Sequence, residues 1–341
     1  MSESTDTNDR LLPAEEDGAA RASADDGVSV VVPSYNHARY VGQALRSVFL
    51  QTLAPLELLV IDDGSKDDSV RVVERILRDC PFPCELVARE NRGLCATLNE
   101  GFARARGRFF AYLGSDDAWL PGFLEARVRA LRSRPRAVLA YGHAYTADAD
   151  GRLVDCTTDW ARYRDGDARR MLLEALAPLS PTVVYRRAAL ARHRWNEETR
   201  LEDYELYLRL SAEGDFAFDP RVLSAWRWHG RNTSADLDLM LREQLDAQRR
   251  AAPALGLTRR ELEKFQARLR FRKAEEFVRH GRKLRALRLL PAGFRGTPSA
   301  RDAALMLARL LLPRPLLALR RRRANQRAAA RYGTLEEALS D

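Results

Sequence analysis

Apolar runs of five or six residues recur along the first third of the chain, and each stops at small, polar or acidic residues. Residues 28–33 give way to Ser34-Tyr35-Asn36. Residues 56–61, interrupted only by Glu57, end in Asp62-Asp63-Gly64-Ser65. Residues 84–88 run into Glu90-Asn91-Arg92-Gly93, and residues 108–113 into Gly114-Ser115-Asp116-Asp117. A run of that length, bounded by turn residues, reads as a buried strand. Helices are expected at 68–78, 94–105 and 121–133, with Asp67 or Asp68 capping the first. Four units of strand, polar loop and helix predict an α/β fold, with a mostly parallel sheet flanked by crossover helices.

The second half is less regular. Residues 137–141 read as a strand, 148–151 as a turn, 152–155 as a short strand and 167–176 as a helix. A strand at 180–185 and a short helix to His193 follow, and Trp195 reads as core. Residues 202–212 form a helix with Tyr204, Leu206, Tyr207, Leu208 and Leu210 on its apolar side, and 216–228 are extended up to His229. Beyond 237 the chain reads as helical. Segments 237–251 and 259–280 mix Arg and Glu with spaced Leu and Phe, as surface helices do. Residues 303–319 are strongly apolar, but Arg309, Pro313, Arg314 and Pro315 make them a poor membrane-spanning helix. Four arginines, 320–323, come next.

Carboxylates at the C-terminal ends of parallel strands stand where open α/β sheets bind ligands. Asp116 and Asp117 are adjacent, and side-by-side carboxylates repel unless something positive neutralises them. A divalent cation bridging to phosphate oxygens is one solution. A helix start, with Ser115 or Asp116 as N-cap and Pro121 in the first turn, is the other reading. Asp62 and Asp63 follow the second strand, where an acid accepts hydrogen bonds from a ribose or base. Pro33, Ser34, Tyr35 and Asn36 line the same crevice. Glu202 and Asp203 open a helix, where acids suit the dipole.

The ordered set PSYN (33–36), DDGS (62–65), NRG (91–93) and GSDD (114–117) resembles the family-2 glycosyltransferases of the GT-A fold. The resemblance runs over 27–235, through Glu202-Asp203-Tyr204-Glu205-Leu206 and Trp226-Arg227-Trp228-His229 to Ser234. It implies a GT-A domain at 27–235 and a helical C-terminal region at 236–341. It also implies inverting transfer of a sugar from a nucleotide-diphosphate donor to an acceptor hydroxyl, with Mn²⁺ or Mg²⁺. On that basis Pro33, Ser34, Tyr35, Asn36, Asp62, Asp63, Arg92, Ser115 and Asp116 hold the donor nucleotide. Asp116 and His229 hold the metal, with Asp117 standing behind them. Asp203 deprotonates the acceptor, with Glu202 as the fallback. The family's metal motif reads Asp-x-Asp, and here Gly114 takes its first position. One carboxylate fewer leaves more of the coordination to the diphosphate and His229. The implied acceptor is a saccharide or lipid-linked saccharide of the bacterial surface, by family analogy alone. Two rivals remain. A nucleotidyltransferase needs a Gly-rich basic loop that PSYNHARY does not supply. A non-catalytic sugar-nucleotide-binding protein is favoured by Gly114 and opposed by Glu202-Asp203.

Composition adds boundaries. A chain of 341 residues with 45% hydrophobic positions holds one sizeable domain plus additions. Residues 1–26 carry eight acids against Arg10 and Arg21, with no apolar period. They read as a disordered acidic tail, without the basic start and apolar core of a secretion signal, which suggests the cytoplasm. Cys80, Cys84, Cys95 and Cys156 lack metal-ligand spacing and read as reduced thiols. The net charge of +9 comes with no stacking or groove-reading motif, so nucleic acid is set aside as a partner. The apolar segment and arginines of 303–323 suit the anionic inner face of the cytoplasmic membrane. Packing on the catalytic domain, or on a second copy in a homo-oligomer, explains them equally. Every chemical motif precedes 235, so 300–341 is expected to be dispensable for donor chemistry.

Overall fold

The computed structural model describes residues 27–230, 232–296 and 299–340, and the expected acidic tail at 1–26 lies outside them. The four apolar runs form strands β1 (Val28–Ser34), β2 (Glu57–Asp62), β3 (Cys84–Ala88) and β4 (Phe109–Tyr112), parallel neighbours in the order β3-β2-β1-β4. Helices α1 (Val41–Phe49), α2 (Ser69–Leu77) and α3 (Leu94–Arg104) connect them, and α4 (Phe123–Ser133) follows β4. Both faces of the sheet are covered there, which explains why β1 is buried throughout and mostly apolar rather than alternating. Val28, Val30 and Val32 join Val41, Leu45, Val73, Ile76 and Phe123 in one core. Val31 joins Leu98, Phe102, Phe110 and Trp195 in the other, so Trp195 is the core residue it was expected to be.

The chain runs outward from β1 to β3, then returns to place β4 on the other side of β1. Such a reversal opens a crevice at the C-terminal strand ends. Here Ser34-Tyr35-Asn36 and Gly114 to Asp117 flank it.

The second half extends the sheet. It comprises β5 (Ala118–Trp119), β6 (Ala137–Asp148), β7 (Leu153–Cys156), α5 (Arg169–Leu173), β8 (Val184–Arg186), α6 (Arg187–Leu190), α7 (Glu202–Ser211) and β9 (Asp215–Trp228). The order continues β4-β8-β6-β9-β5, with β7 beside β6. β9 runs parallel to β6 as far as Trp228 opposite Asp148, while β8, β5 and β7 bring antiparallel pairs. Two local expectations differ. Ser180–Thr182 is a 3₁₀ turn, and only Val184–Arg186 is strand. Nor does a helix start at Ser115 or Asp116. Ala118–Trp119 pair with Ser224-Ala225, and α4 begins only after Gly122, whose φ is 79°.

The C-terminal region is helical: α8 (Leu237–Ala251), α9 (Arg259–Arg279), α10 (Lys283–Gly293), α11 (Ala300–Leu311), α12 (Arg314–Tyr332) and α13 (Leu335–Ser340). Thr258 and Glu261 form a capping box at the start of α9. Leu237, Phe271, Phe277, Val278, Leu290 and Met306 make a small core of their own. The expected apolar segment 303–319 is two helices, broken at Leu312-Pro313 because Pro313 cannot continue α11. Among the described residues no helix is long and apolar enough to cross a membrane.

The last helix returns to the sheet. Leu335 is buried among Ala118, Ala147, Leu153 and Ala225. Leu335 N donates to Gly151 O at 2.8 Å, and Leu153 N donates to Gly333 O at 3.0 Å. Residues 333–335 therefore pack against the strands that flank the GSDD loop. Leu335→Ala is expected to cost about 2–5 kcal/mol, the usual range for emptying a closed apolar site. A lowered unfolding midpoint by differential scanning fluorimetry checks this; a wild-type midpoint would show that 335–340 is not docked.

Candidate functional site

The first two strand ends lock together through backbone and side-chain hydrogen bonds. Asn36 sits at φ 56°, a left-handed position that Asn tolerates. Its backbone N–H donates to Ser65 Oγ at 2.8 Å, and its Oδ1 accepts from Lys66 N at 2.7 Å. Asp62 accepts from Ser65 N at 2.8 Å and Ser65 Oγ at 2.6 Å. Gly64 is required twice over: its φ is 80°, and a Cβ there would lie 2.8 Å from Asn91 N.

Asp63 is spent on architecture. Its carboxylate accepts from Arg92 N and Gly93 N, each at 2.8 Å, and from the Arg89 guanidinium. It thereby shapes the loop that opens α3. Arg92 is exposed, with its guanidinium 3.8 Å from Glu100. Tyr35 is 47% exposed, while the Ser34 hydroxyl is buried without a partner.

Across the crevice the adjacent acids 116 and 117 part company. Asp117 turns inward, is buried, and accepts Arg227 N at 2.8 Å. Burial, then the negative charge of Asp116, pushes its carboxyl well above the usual range. Asp116 goes the other way. Burial alone would raise it, but the hydrogen bond with His229 and the charges of His37 and His229 hold it below its ordinary value. Asp116 Oδ2 lies 3.0 Å from His229 Nε2 and 3.4 Å from Asn232 Nδ2, and Oδ1 lies 3.9 Å from His37 Nδ1. One ligand atom each from His37, Asp116 and His229 lie within 4.8 Å of one another, a set that suits a divalent cation. Ser115 Oγ sits 2.8 Å from His37 Nδ1.

A second acid pair opens α7. Tyr112 Oη, at the end of β4, donates to Glu202 Oε1 at 3.3 Å. Burial and then the charge of Asp203 push Glu202 up to about 8, with its hydrogen bonds resisting. Burial pushes Asp203 up to about 6, against hydrogen bonds from the backbone N–H of Tyr204 and its own. Asp203 Oδ1 has no hydrogen-bond partner within the protein. Asp116 contributes to the raised value of Glu202, so the two acid pairs feel one another across the sheet end.

The sequence reading named Asp116, His229, Glu202 and Asp203, but missed four residues that complete the setting. His37 comes from the loop after β1. Tyr40 stacks on His229, with ring centres 5.3 Å apart. Arg227 donates from Nε to Asp116 O at 2.8 Å and also reaches Gln43. Asn232 accepts His229 N at 2.9 Å and donates to Arg227 O at 2.8 Å. His37 and Arg227 lay inside motifs already quoted, and their polarity beside a strand end was the available signal. Asn232 carried no signal of its own in the sequence.

Residues 29–194 match the family model described as Glycosyl transferase family 2. Over 208 residues the chain is 27% identical to chondroitin synthase of Escherichia coli, covering 61% of this chain and 30% of that protein. The chain spans about half the length, or less, of leading curated relatives. The fold is shared with S. aureus TarS 1–349 in complex with UDP-GlcNAc, at TM-score 0.58 and 19% identity over 89% of each chain. It is also shared with the mannosyltransferase PcManGT from Pyrobaculum calidifontis in complex with GDP-Man and Mn²⁺, at TM-score 0.57 and 19% identity over 89% of this chain and 85% of that one.

The raised acid pair has a consequence for stability. Unfolded carboxyls titrate near about pH 4. Folding therefore favours the protonated forms of Asp203 and Glu202. Their contribution is whole below about pH 4 and is lost as pH rises through about 6 and about 8 respectively. Glu202→Gln is expected to raise the unfolding midpoint by a few degrees near about pH 9 and to leave it unchanged near about pH 4. Equal midpoints of wild type and variant at both pH values would contradict the buried pair.

Proposed function

We propose that the family-2 glycosyltransferase domain formed by residues 29–194 makes this chain an inverting, metal-assisted glycosyltransferase. It moves a sugar from a nucleotide-diphosphate donor to an acceptor hydroxyl. The observation that carries the reading is two pairs of unlike acids, one after β4 and one at the start of α7: Asp116 held low beside two histidines, and Asp203 with a bare oxygen beside a raised Glu202.

Asp203, titrating near about 6, is ionised at neutral pH and can accept the acceptor's proton, whereas Glu202, near about 8, keeps its own. That difference supports Asp203 as the base and makes Glu202 its neutral neighbour. A single base facing the reacting sugar suits inversion. Asp116 and His229 would hold a divalent ion, Mn²⁺ or Mg²⁺, which when bound neutralises the leaving diphosphate. Asp117 is unsuited to that task, being buried and committed to the Arg227 N–H. The loop Pro33 to Asn36 and Asp62 would receive the nucleoside, with the Ser34 hydroxyl still unpaired and the Tyr35 ring exposed for stacking. Asp63 would act through the loop it builds, and Arg92 and Ser115 would lie beside the donor.

Likeness to a bacterial polysaccharide synthase supports an acceptor that is a saccharide or lipid-linked saccharide. Contact with the inner face of the membrane is supported by exposed Leu305, Leu307, Leu311, Leu316 and Leu319, close in sequence to exposed Arg320, Arg322 and Arg323.

Asp203→Asn is expected to bind donor like wild type and to lower kcat by about two to four orders of magnitude, the usual worth of a general base. The acid limb of the wild-type pH–rate profile, falling below about pH 6, should vanish with it. Wild-type turnover in Asp203→Asn with loss in Glu202→Gln would move the base by one residue. For the membrane contact, the chain should co-sediment with anionic vesicles at low salt. Glu substitution at Arg320, Arg322 and Arg323 should abolish this, since each basic residue is worth about 1 kcal/mol at such a surface. No sedimentation at any salt concentration would remove the membrane from the account.

A further inference from the structure

The site lacks one carboxylate, and the structure shows what stands in the vacated space. A Cβ at position 114 would lie 2.9 Å from Asp116 Oδ1 and 3.0 Å from Asp117 Oδ2. A side chain there would crowd the carboxylates of both neighbouring acids. Gly114 is therefore part of this arrangement rather than a simple loss. Opposite Asp116, and on a different strand end, stands His37.

His37 is held from several directions. Its backbone N–H donates to Ser69 Oγ at 2.9 Å. Its Nδ1 sits 2.8 Å from Ser115 Oγ, a hydroxyl that can turn its proton toward or away from the ring. The ring meets those of His229 and Tyr40 edge-on, at 5.4 and 6.1 Å between centres. A ring fixed this way has little rotamer freedom left to lose on binding. It faces the Asp116 carboxylate and a second imidazole, all three within reach of one ion.

We propose that His37 is a metal ligand that takes the place of the missing carboxylate, so that the chain holds its cation with two imidazoles and one carboxylate. This rests on the metal-assisted reading above and goes beyond it by adding a ligand and a preference. Imidazole nitrogen suits first-row transition cations, with affinity rising from Mn²⁺ to Co²⁺, whereas Mg²⁺ prefers an all-oxygen shell. The site therefore favours Co²⁺ and Mn²⁺ over Mg²⁺. An oxygen donor at position 37 should narrow that gap.

The test is metal binding by the full chain, without nucleotide. Mn²⁺ is counted by loss of the free-ion electron paramagnetic resonance signal, Co²⁺ by its visible absorption, and Mg²⁺ by competition with Mn²⁺. Wild type should bind one Mn²⁺, which Mg²⁺ displaces only at a more than tenfold excess. His37→Ala and His37→Gln should each weaken Mn²⁺ by about tenfold or more and alter the Co²⁺ spectrum, with metal-free unfolding midpoints equal to wild type. His37→Asp should bring Mg²⁺ and Mn²⁺ closer together. If both neutral variants keep wild-type affinity and preference while Asp116→Ala loses them, His37 is not a ligand and the metal reading survives without it. If wild type binds neither Mn²⁺ nor Co²⁺, the metal reading falls, and this inference with it.

Discussion

The contact on which the site depends is the one between Arg227 and the GSDD loop. Asp117, buried and driven toward its neutral form, accepts the Arg227 backbone N–H. The Arg227 guanidinium reaches back to the carbonyl of Asp116. Residues more than a hundred positions apart in sequence are thereby joined at one strand end. His229 and Asn232, just beyond β9, arrive beside Asp116 only because this seam holds β9 against the loop. Breaking it would leave Asp117 buried without its partner, and an unsatisfied buried acceptor is costly in its own right.

The same logic of unlike neighbours recurs at α7. Two adjacent acids cannot both ionise cheaply in a dry setting, so environment assigns them separate roles. At 116–117 the outer acid is ionised by histidine contacts and the inner one is structural. At 202–203 the pair titrates apart, near about 8 and about 6, and Tyr112 ties Glu202 to the end of β4. Keeping the second pair raised costs stability at neutral pH, and that cost falls on the acids proposed here to supply the base.

Much of this was legible in the chain. The inner strands β1, β2 and β4 were readable because strands covered on both faces are mostly apolar, whereas the edge strand β3 is half-exposed and was marked by its polar loop. Their polar ends marked the crevice, since ligands bind at the C-terminal ends of parallel strands. What stayed hidden depended on long-range pairing. Nothing local to His37 says that the loops after β1 and β9 will meet at Asp116, and nothing local to Asn232 sets it apart from any polar loop residue. The structural role of Asp63 was equally invisible: DDGS offers two acids, and only the fold reveals that one of them is consumed by Arg89, Arg92 and Gly93. At the far end, Leu335 looks like any leucine of a terminal amphipathic turn, yet it fills the floor under Ala118. Pro313 was visible as an interruption, but whether the chain would kink or restart there depended on the packing beyond it.

Diffraction from crystals grown with Mn²⁺ and a nucleoside diphosphate, collected at the manganese edge, tests the central claim most directly. The account predicts one anomalous peak in contact with Asp116, His229 and the diphosphate, with the nucleoside against Ser34 to Asn36 and Asp117 still bonded to the Arg227 N–H. A peak bound through Asp117 or Asp63, or a nucleotide seated away from these strand ends, would contradict it.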